Sequence, residues 1–140
     1  YCKAPFYDEV FPVVRELIMN PNDNLAAYNL AAVHALARMA KIDPPKFVLG
    51  SALDVSGQAT DLLISIVRSV GGSAYLCGGG AQGYQEDELF AKAHLGLVYQ
   101  NFNHPKYSQF ETEEFVPGLS IIDALMHCGP EGTRALIGGS

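Results

Sequence analysis

Short apolar runs that alternate with helical patterns between residues 46 and 100 constrain the fold of this chain more than any other feature. The runs at 46–50, 73–77 and 95–100 have the length and residue types of buried strands. Residues 60–70 and 83–93, which lie between them, read as helices. Strands and helices that alternate with short connections are typical of right-handed crossovers in a parallel sheet. We therefore predict an α/β fold with a small parallel sheet of about three strands and helices on both faces, in three layers.

Further helices are predicted on both sides of this region, at 7–19, 24–41, 119–128 and 131–137. We expect the first two to cover the faces of the sheet. A sheet this small has two edges that need cover. The chain opens with Tyr1 rather than Met, so we predict that upstream strands are missing or that a partner chain, such as a second copy, covers the edges. A length of 140 residues predicts a single domain.

Composition excludes several classes of protein. The formal net charge is −6, and no stripe of Lys and Arg is present, which argues against nucleic-acid binding. No apolar run is long enough to cross a membrane. The three cysteines are irregularly spaced, which predicts reduced thiols and a cytoplasmic protein. Cys and His do not recur at chelating spacing, so no metal site is predicted, and no cofactor is assigned.

A glycine-rich loop follows the middle predicted strand. Gly78, Gly80 and Gly83 match G-x-G-x-x-G between a strand and a helix, the context of a dinucleotide-binding loop. The acidic run at 86–88 would repel a pyrophosphate, and no acidic residue follows the next strand to bind a ribose. Three alternatives remain open: nucleotide binding, a tight turn that needs positive φ angles, and a close approach of backbone to a non-nucleotide ligand.

The segment 104–109 carries the densest group of donors and acceptors in the chain. His104 can act as an acid or base near neutral pH, Tyr107 can donate its hydroxyl, and Gln109 can orient a polar substrate. The alternative is an exposed loop with a freely titrating histidine. In open α/β sheets, ligands gather where parallel strands end, so this segment, the 51–56 loop and the glycine loop are predicted to face one crevice.

The candidate residues at this crevice fall into two groups. We predict His104 and Tyr107 as catalytic. The predicted substrate-binding residues are Ser51, Asp54, Gly78, Gly79, Gly80, Tyr84 and Gln109.

Three other polar positions are interpreted as structural. Cys77, at a strand end, is expected to be a small buried thiol. Ser120 and Asp123 fit a capping box. His127 is expected to pair with the negative end of a helix or with water.

Several segments in this order resemble the WbqC-like protein family, and the likeness runs from about residue 5 to residue 130. They are YLCGGGA at 75–81 with Tyr84, ELF at 88–90, HPKYSQ at 104–109, FVPGLSIID at 115–123 and CGP at 128–130. Cys77 and Gly83 depart from the family pattern, which expects a serine and a polar or acidic residue there.

The resemblance implies a bacterial cytoplasmic protein associated with biosynthesis of surface polysaccharide, either O-antigen or capsule. It implies that this chain is the C-terminal portion of a longer protein. The expected activity is transfer of a group onto a sugar or sugar-nucleotide, a small-molecule ligand. A non-catalytic module that binds a carbohydrate or another protein of the same pathway is the alternative.

Overall fold

The computed structural model describes residues 1–42, 47–78, 80, 83, 85–110 and 114–138. In chain order the elements are α1 (Tyr7–Ile18), α2 (Leu25–Met39), a 3-10 turn (Gly50–Ala52), α3 (Ala59–Ser69), β1 (Ala74–Cys77), α4 (Asp87–Lys92), β2 (Gly96–Tyr99) and α5 (Ile121–Gly138). They form two compact units. The first unit comprises Tyr1–Lys46 and Asn103–Ser140, and the second comprises Phe47–Phe102.

Three helices, α1, α2 and α5, pack on one another in the first unit. Their core is formed by four buried apolar residues, Ala4, Val10, Leu125 and Met126. The backbone N–H of Phe6 donates to the carbonyl of Met126 at 3.1 Å, which joins the segment before α1 to α5. The side chains of Lys41 and Glu131 form a surface ion pair.

Gly129 divides α5 into two helical parts. Its φ of 68° and ψ of 179° lie outside the helical region, and Pro130 follows. This agrees with the prediction of two helices separated at these residues. A Cβ at position 129 would lie 2.5 Å from Cε1 of Phe6, so the position also needs glycine for space.

The second unit contains a two-stranded parallel sheet. Ala74 pairs with Gly96 and Cys77 with Tyr99 at the two ends of the ladder. Helix α3 packs on β1, α4 packs on β2, and the two helices contact each other. The ring of Tyr75 stacks on the fully buried ring of Phe90 of α4, with the ring centroids 5.5 Å apart.

Burial alternates along both strands, so one face of the sheet is covered and the other is open. The covered face carries Tyr75, Cys77, Leu97 and Tyr99, which are buried or half-buried. On the other face Leu76 is 61% exposed and Val98 is 49% exposed. In the described residues the helices of this unit therefore lie on one face.

The mixed α/β class and the parallel sheet are confirmed, but the described helices of the second unit lie on one face of the sheet rather than on both in three layers, and two further details differ from the prediction. Phe47, Val48 and Leu49 were predicted as part of a third strand, but they form no strand and are exposed. These residues lead directly into the 3-10 turn at Gly50–Ala52. Helices α1 and α2 were expected to cover the sheet, but they pack on α5 instead.

The single-domain prediction stays a prediction. Among the described residues, none of the helices combines the length and apolar character needed to cross a membrane.

Candidate functional site

A buried carboxylate, that of Asp123, is the centre of a polar cluster in the first unit. Asp123 lies in the first turn of α5 and is 4% exposed. The hydroxyl of Tyr1 donates to its Oδ1 at 2.8 Å. The hydroxyl of Tyr107 donates to Oδ2 at 2.6 Å, and Nε2 of Gln109 donates to the same oxygen at 3.2 Å. Two of the predicted site residues, Tyr107 and Gln109, are therefore brought together by Asp123.

The start of α5 differs from the predicted capping box. Oγ of Ser120 accepts from the backbone N–H of Ile122 at 3.3 Å, and the N–H of Asp123 donates to the carbonyl of Ser120 at 2.9 Å. The carboxylate of Asp123 instead accepts the three donors above. Burial explains the difference, because a buried carboxylate needs several hydrogen bonds to replace its water.

His127 lies one helical turn after Asp123, on the same face of α5. Its Nε2 is 4.0 Å from Oδ1 of Asp123, and the two side chains are 4% and 5% exposed respectively. Its ring is in contact with those of Phe110, Tyr1 and Tyr107, at centroid distances of 5.0, 5.8 and 6.5 Å. Nδ1 is buried and has no hydrogen-bond partner in the part of the chain that the structure describes. His127 lies two residues before the break at Gly129, and its side chain is a buried member of the cluster.

The cluster shifts the ionisation of its members in opposite directions. Burial acts to raise the pKa of Asp123, but hydrogen bonds from Tyr107, Tyr1 and Gln109, together with the charge of His127, outweigh burial and leave that pKa below its ordinary value. Burial and the hydrogen bond to Asp123 raise the pKa of Tyr107 to about 12. The same two causes raise the pKa of Tyr1. At neutral pH the carboxylate is therefore ionised and both phenols keep their protons.

Gln109 links this cluster to the following segment. Its Nε2 donates to the carbonyl of Val116 at 3.0 Å, and its Oε1 accepts from the N–H of Val116 at 2.8 Å. Both hydrogens of the amide are therefore used within the protein, one by Val116 and one by Asp123. Gln109 positions the chain around Asp123. His104, three residues before Tyr107, is exposed.

The other predicted site residues lie in the second unit. Ser51 is in the 3-10 turn, and Ser51, Asp54, Gly78 and Gly80 are all exposed. Gly79 and Tyr84 lie outside the described residues. The shared crevice therefore stays a prediction.

The backbone angles of the glycine loop show which of its glycines has a positive φ. Gly83 has a φ of 87°, whereas Gly78 and Gly80 are not among the glycines with positive φ. A turn that requires glycine is thus supported at Gly83. A Cβ added at Gly78, Gly80 or Gly83 would have no neighbouring atom within 4 Å.

A second polar cluster lies where the two strands end. Nε2 of Gln85 donates to Sγ of Cys77 at 3.2 Å and lies 3.3 Å from the hydroxyl of Tyr99. That hydroxyl lies 2.7 and 2.9 Å from the two carboxylate oxygens of Asp87. Cys77 is 4% exposed, as predicted for a buried thiol.

Sequence reasoning missed the functional potential of Asp123 and His127. One signal for this pair was available in the sequence. The carboxylate and the imidazole are four positions apart, on the apolar side of one predicted helix. Among the described residues, no group of His, Cys, Asp and Glu is large enough to hold a metal ion.

Comparison with known proteins assigns the chain to a family. The model of the WbqC-like protein family matches residues 1–135. The chain belongs to the WbqC-like protein family. This match spans the Asp123 cluster, the glycine loop and the 104–109 segment, and it confirms the resemblance seen in the sequence. Searches of curated proteins and of solved structures returned no match.

Proposed function

We propose that this WbqC-like protein is a group-transfer enzyme, or part of one, that acts on a sugar or sugar-nucleotide in bacterial surface-polysaccharide biosynthesis. The product would belong to O-antigen or capsule, and the reaction would take place in the cytoplasm. The observation that carries the proposal is the convergence of Tyr107 and Gln109 on the buried carboxylate of Asp123. That convergence supports a fixed geometry for the 104–109 segment, which a transfer reaction requires.

The geometry refines the roles of these residues. His104, which is exposed, is the proposed acid or base. The hydroxyl hydrogen of Tyr107 is donated to Asp123, so its oxygen is free to act only as an acceptor for a substrate donor. With a pKa of about 12, Tyr107 keeps its proton at neutral pH and cannot serve as the base. Gln109 acts as a positioning residue through Val116 and Asp123.

The remaining candidate residues are proposed to bind the substrate. Ser51 and Asp54 are proposed to contact hydroxyl groups of the substrate. The backbone at Gly78, Gly79 and Gly80 is proposed to stabilise an oxyanion or phosphate group. A second copy of the chain is proposed to cover the edges of the sheet, and sedimentation analysis would detect such a dimer.

The experiment replaces His104 in the full-length protein and measures glycan composition in cells. His104→Gln is expected to deplete the modified glycan, because the acid or base is lost while the size of the side chain is nearly kept. His94→Asn is the matched control, since His94 is also exposed and its φ of 57° suits asparagine. Unchanged glycan in the His104→Gln strain, with normal protein level and circular dichroism, would refute the proposal.

A non-catalytic binding module of the same pathway is the second candidate. It is favoured by the internal use of the hydrogens of Tyr107 and Gln109 and by the open sheet face with Leu76 and Val98. A thermal shift with UDP-glucose or UDP-N-acetylglucosamine, without turnover of either compound, would support this candidate over the enzyme.

A further inference from the structure

The two oxygens of the Asp123 carboxylate have different partners. Oδ2 accepts from Tyr107 and Gln109, which belong to one continuous segment. Oδ1 accepts from the hydroxyl of Tyr1, and it is also the oxygen that lies 4.0 Å from Nε2 of His127. Oδ2 therefore serves the internal structure, while Oδ1 and Nε2 define a second polar position.

Tyr1 is the accessible member of this position. Tyr1 is 55% exposed, whereas the side chains of His127 and Asp123 are only 4% and 5% exposed. A cavity of about 250 Å³ is lined by Tyr1, Cys2, Lys3 and Phe110. The rings of Tyr1 and Phe110 also contact His127. Displacement of Tyr1 would therefore connect the cavity to Oδ1 and Nε2.

One hydroxyl group can satisfy both atoms. Two polar atoms 4.0 Å apart can each lie about 2.8 Å from the same oxygen, which is an ordinary hydrogen-bond distance. That oxygen would donate its hydrogen to the ionised Oδ1, as Tyr1 does. It would accept from Nε2–H of His127.

We propose that Oδ1 of Asp123 and Nε2 of His127 form a binding position for one hydroxyl group of the ligand, and that the phenol of Tyr1, which donates to Oδ1 in the structure, blocks this position. The ligand is a small hydroxyl-bearing ring compound, because it would replace the phenol ring of Tyr1 beside a cavity of about 250 Å³, which is just below the usual range of about 300–1,000 Å³ for ligand pockets. The identification of that compound as a sugar rests on the proposed function. The hydroxyl position itself does not.

The test uses p-cresol, which reproduces the side chain of Tyr1, and toluene, which lacks the hydroxyl. In the full-length protein with Tyr1→Ala, p-cresol is expected to bind at least about tenfold more tightly than toluene by titration calorimetry, because a hydrogen bond to a charged group distinguishes them. Adding Asp123→Asn is expected to reduce this preference to about threefold or less. Tyr7→Ala is the control, since the ring of Tyr7 stacks on Phe11 and its removal should create no preference for the hydroxyl.

Equal affinity of p-cresol and toluene for a folded Tyr1→Ala variant would overturn the proposal, as would a preference that survives Asp123→Asn. If Tyr1→Ala does not fold, Tyr1→Phe serves, because it removes only the competing hydroxyl. It should bind p-cresol at least about threefold more tightly than the wild type does, and equal affinity would again overturn the proposal. These measurements do not involve His104 or glycan synthesis. The proposed function and the hydroxyl position can therefore each be refuted without the other.

Discussion

The two units contain the same pair of residues, a tyrosine that donates to an aspartate, in two different environments. In the first unit the hydroxyl of Tyr107 lies 2.6 Å from the carboxylate of Asp123, which is 4% exposed and has two further donors. In the second unit the hydroxyl of Tyr99 lies 2.7 Å from the carboxylate of Asp87, which is exposed. The distances are nearly equal, but water competes only for the second pair. Burial, rather than contact geometry, makes Asp123 a centre of organisation.

The largest expected difference comes from removing each carboxylate. Asp123→Ala leaves the donors of Tyr107 and Gln109 without their acceptor, at about 1–3 kcal/mol each. We expect the free energy of unfolding to fall by about 3–4 kcal/mol in urea denaturation, from these two terms together. Asp87→Ala is the matched control and should leave the urea midpoint almost unchanged, because Tyr99 can donate to water. Equal losses in the two variants would contradict the role given to burial.

Two glycines with the same backbone angle provide the next comparison. Gly129 in the first unit and Gly71 in the second both have a φ of 68°, but a Cβ would meet the ring of Phe6 at Gly129 and nothing within 4 Å at Gly71. Gly71→Ala should cost about 1 kcal/mol for the left-handed conformation alone. Gly129→Ala should cost about 2–3 kcal/mol, because its ψ of 179° places it in a region that essentially only glycine occupies and because overpacking against Phe6 is added. Thermal unfolding measures both variants, and a smaller loss at Gly129 than at Gly71 would contradict these added costs.

Removal of the two phenol hydroxyls is expected to have a smaller effect than removal of the carboxylates. Tyr107→Phe deletes one of three hydrogen bonds to a buried charge and should lower the free energy of unfolding by about 1–2 kcal/mol. Tyr99→Phe should have no resolvable effect on stability, since the hydroxyl of Tyr99 binds an exposed carboxylate. Chemical denaturation of both variants tests this, and a larger loss for Tyr99→Phe would reverse the ranking of the two pairs.

The dependence of stability on pH should give the smallest effect. The pKa of Asp123 is lower in the folded protein than its ordinary value, so its stabilising contribution is present above about pH 4 and is lost as the pH falls through the folded pKa. The pKa of Tyr107 is raised to about 12, so its contribution is present below about pH 10 and is lost as the pH rises through 12. Unfolding free energies of the wild type and Asp123→Asn should therefore converge in acid. Parallel curves below pH 4 would contradict the assignment for Asp123.

The sequence predicted individual helices and strands better than the way they pack. The two strands at 74–77 and 96–99 and the helices next to them were recognisable because apolar runs, glycines and helical spacing are local signals. The prediction of a third strand was wrong because the local pattern at 47–49 does not show whether a neighbouring strand is available for pairing. The placement of α1 and α2 against α5 depends on which apolar faces meet, and local patterns do not carry that information.

The candidate site was predicted only in part, because local patterns do not show which distant residues come together. Tyr107 and Gln109 were identified from their chemistry, and the structure brings them together. Their common partner, Asp123, was interpreted as a helix cap, because a carboxylate near a helix start usually serves its own backbone. Contacts between residues far apart in sequence, such as that between Tyr1 and Asp123, have no local signature.

The hydrogen bond from Tyr1 to Asp123 joins residues 122 positions apart, and this has a consequence for the order of folding. A ribosome releases α1 and α2 before α5, which completes their core. The continuous stretch from Phe47 to Phe102 needs only short loop closures and can form before α5 emerges. The nascent protein therefore carries the apolar sides of α1 and α2 uncovered until α5 is made, and chaperone binding should be concentrated on these two helices.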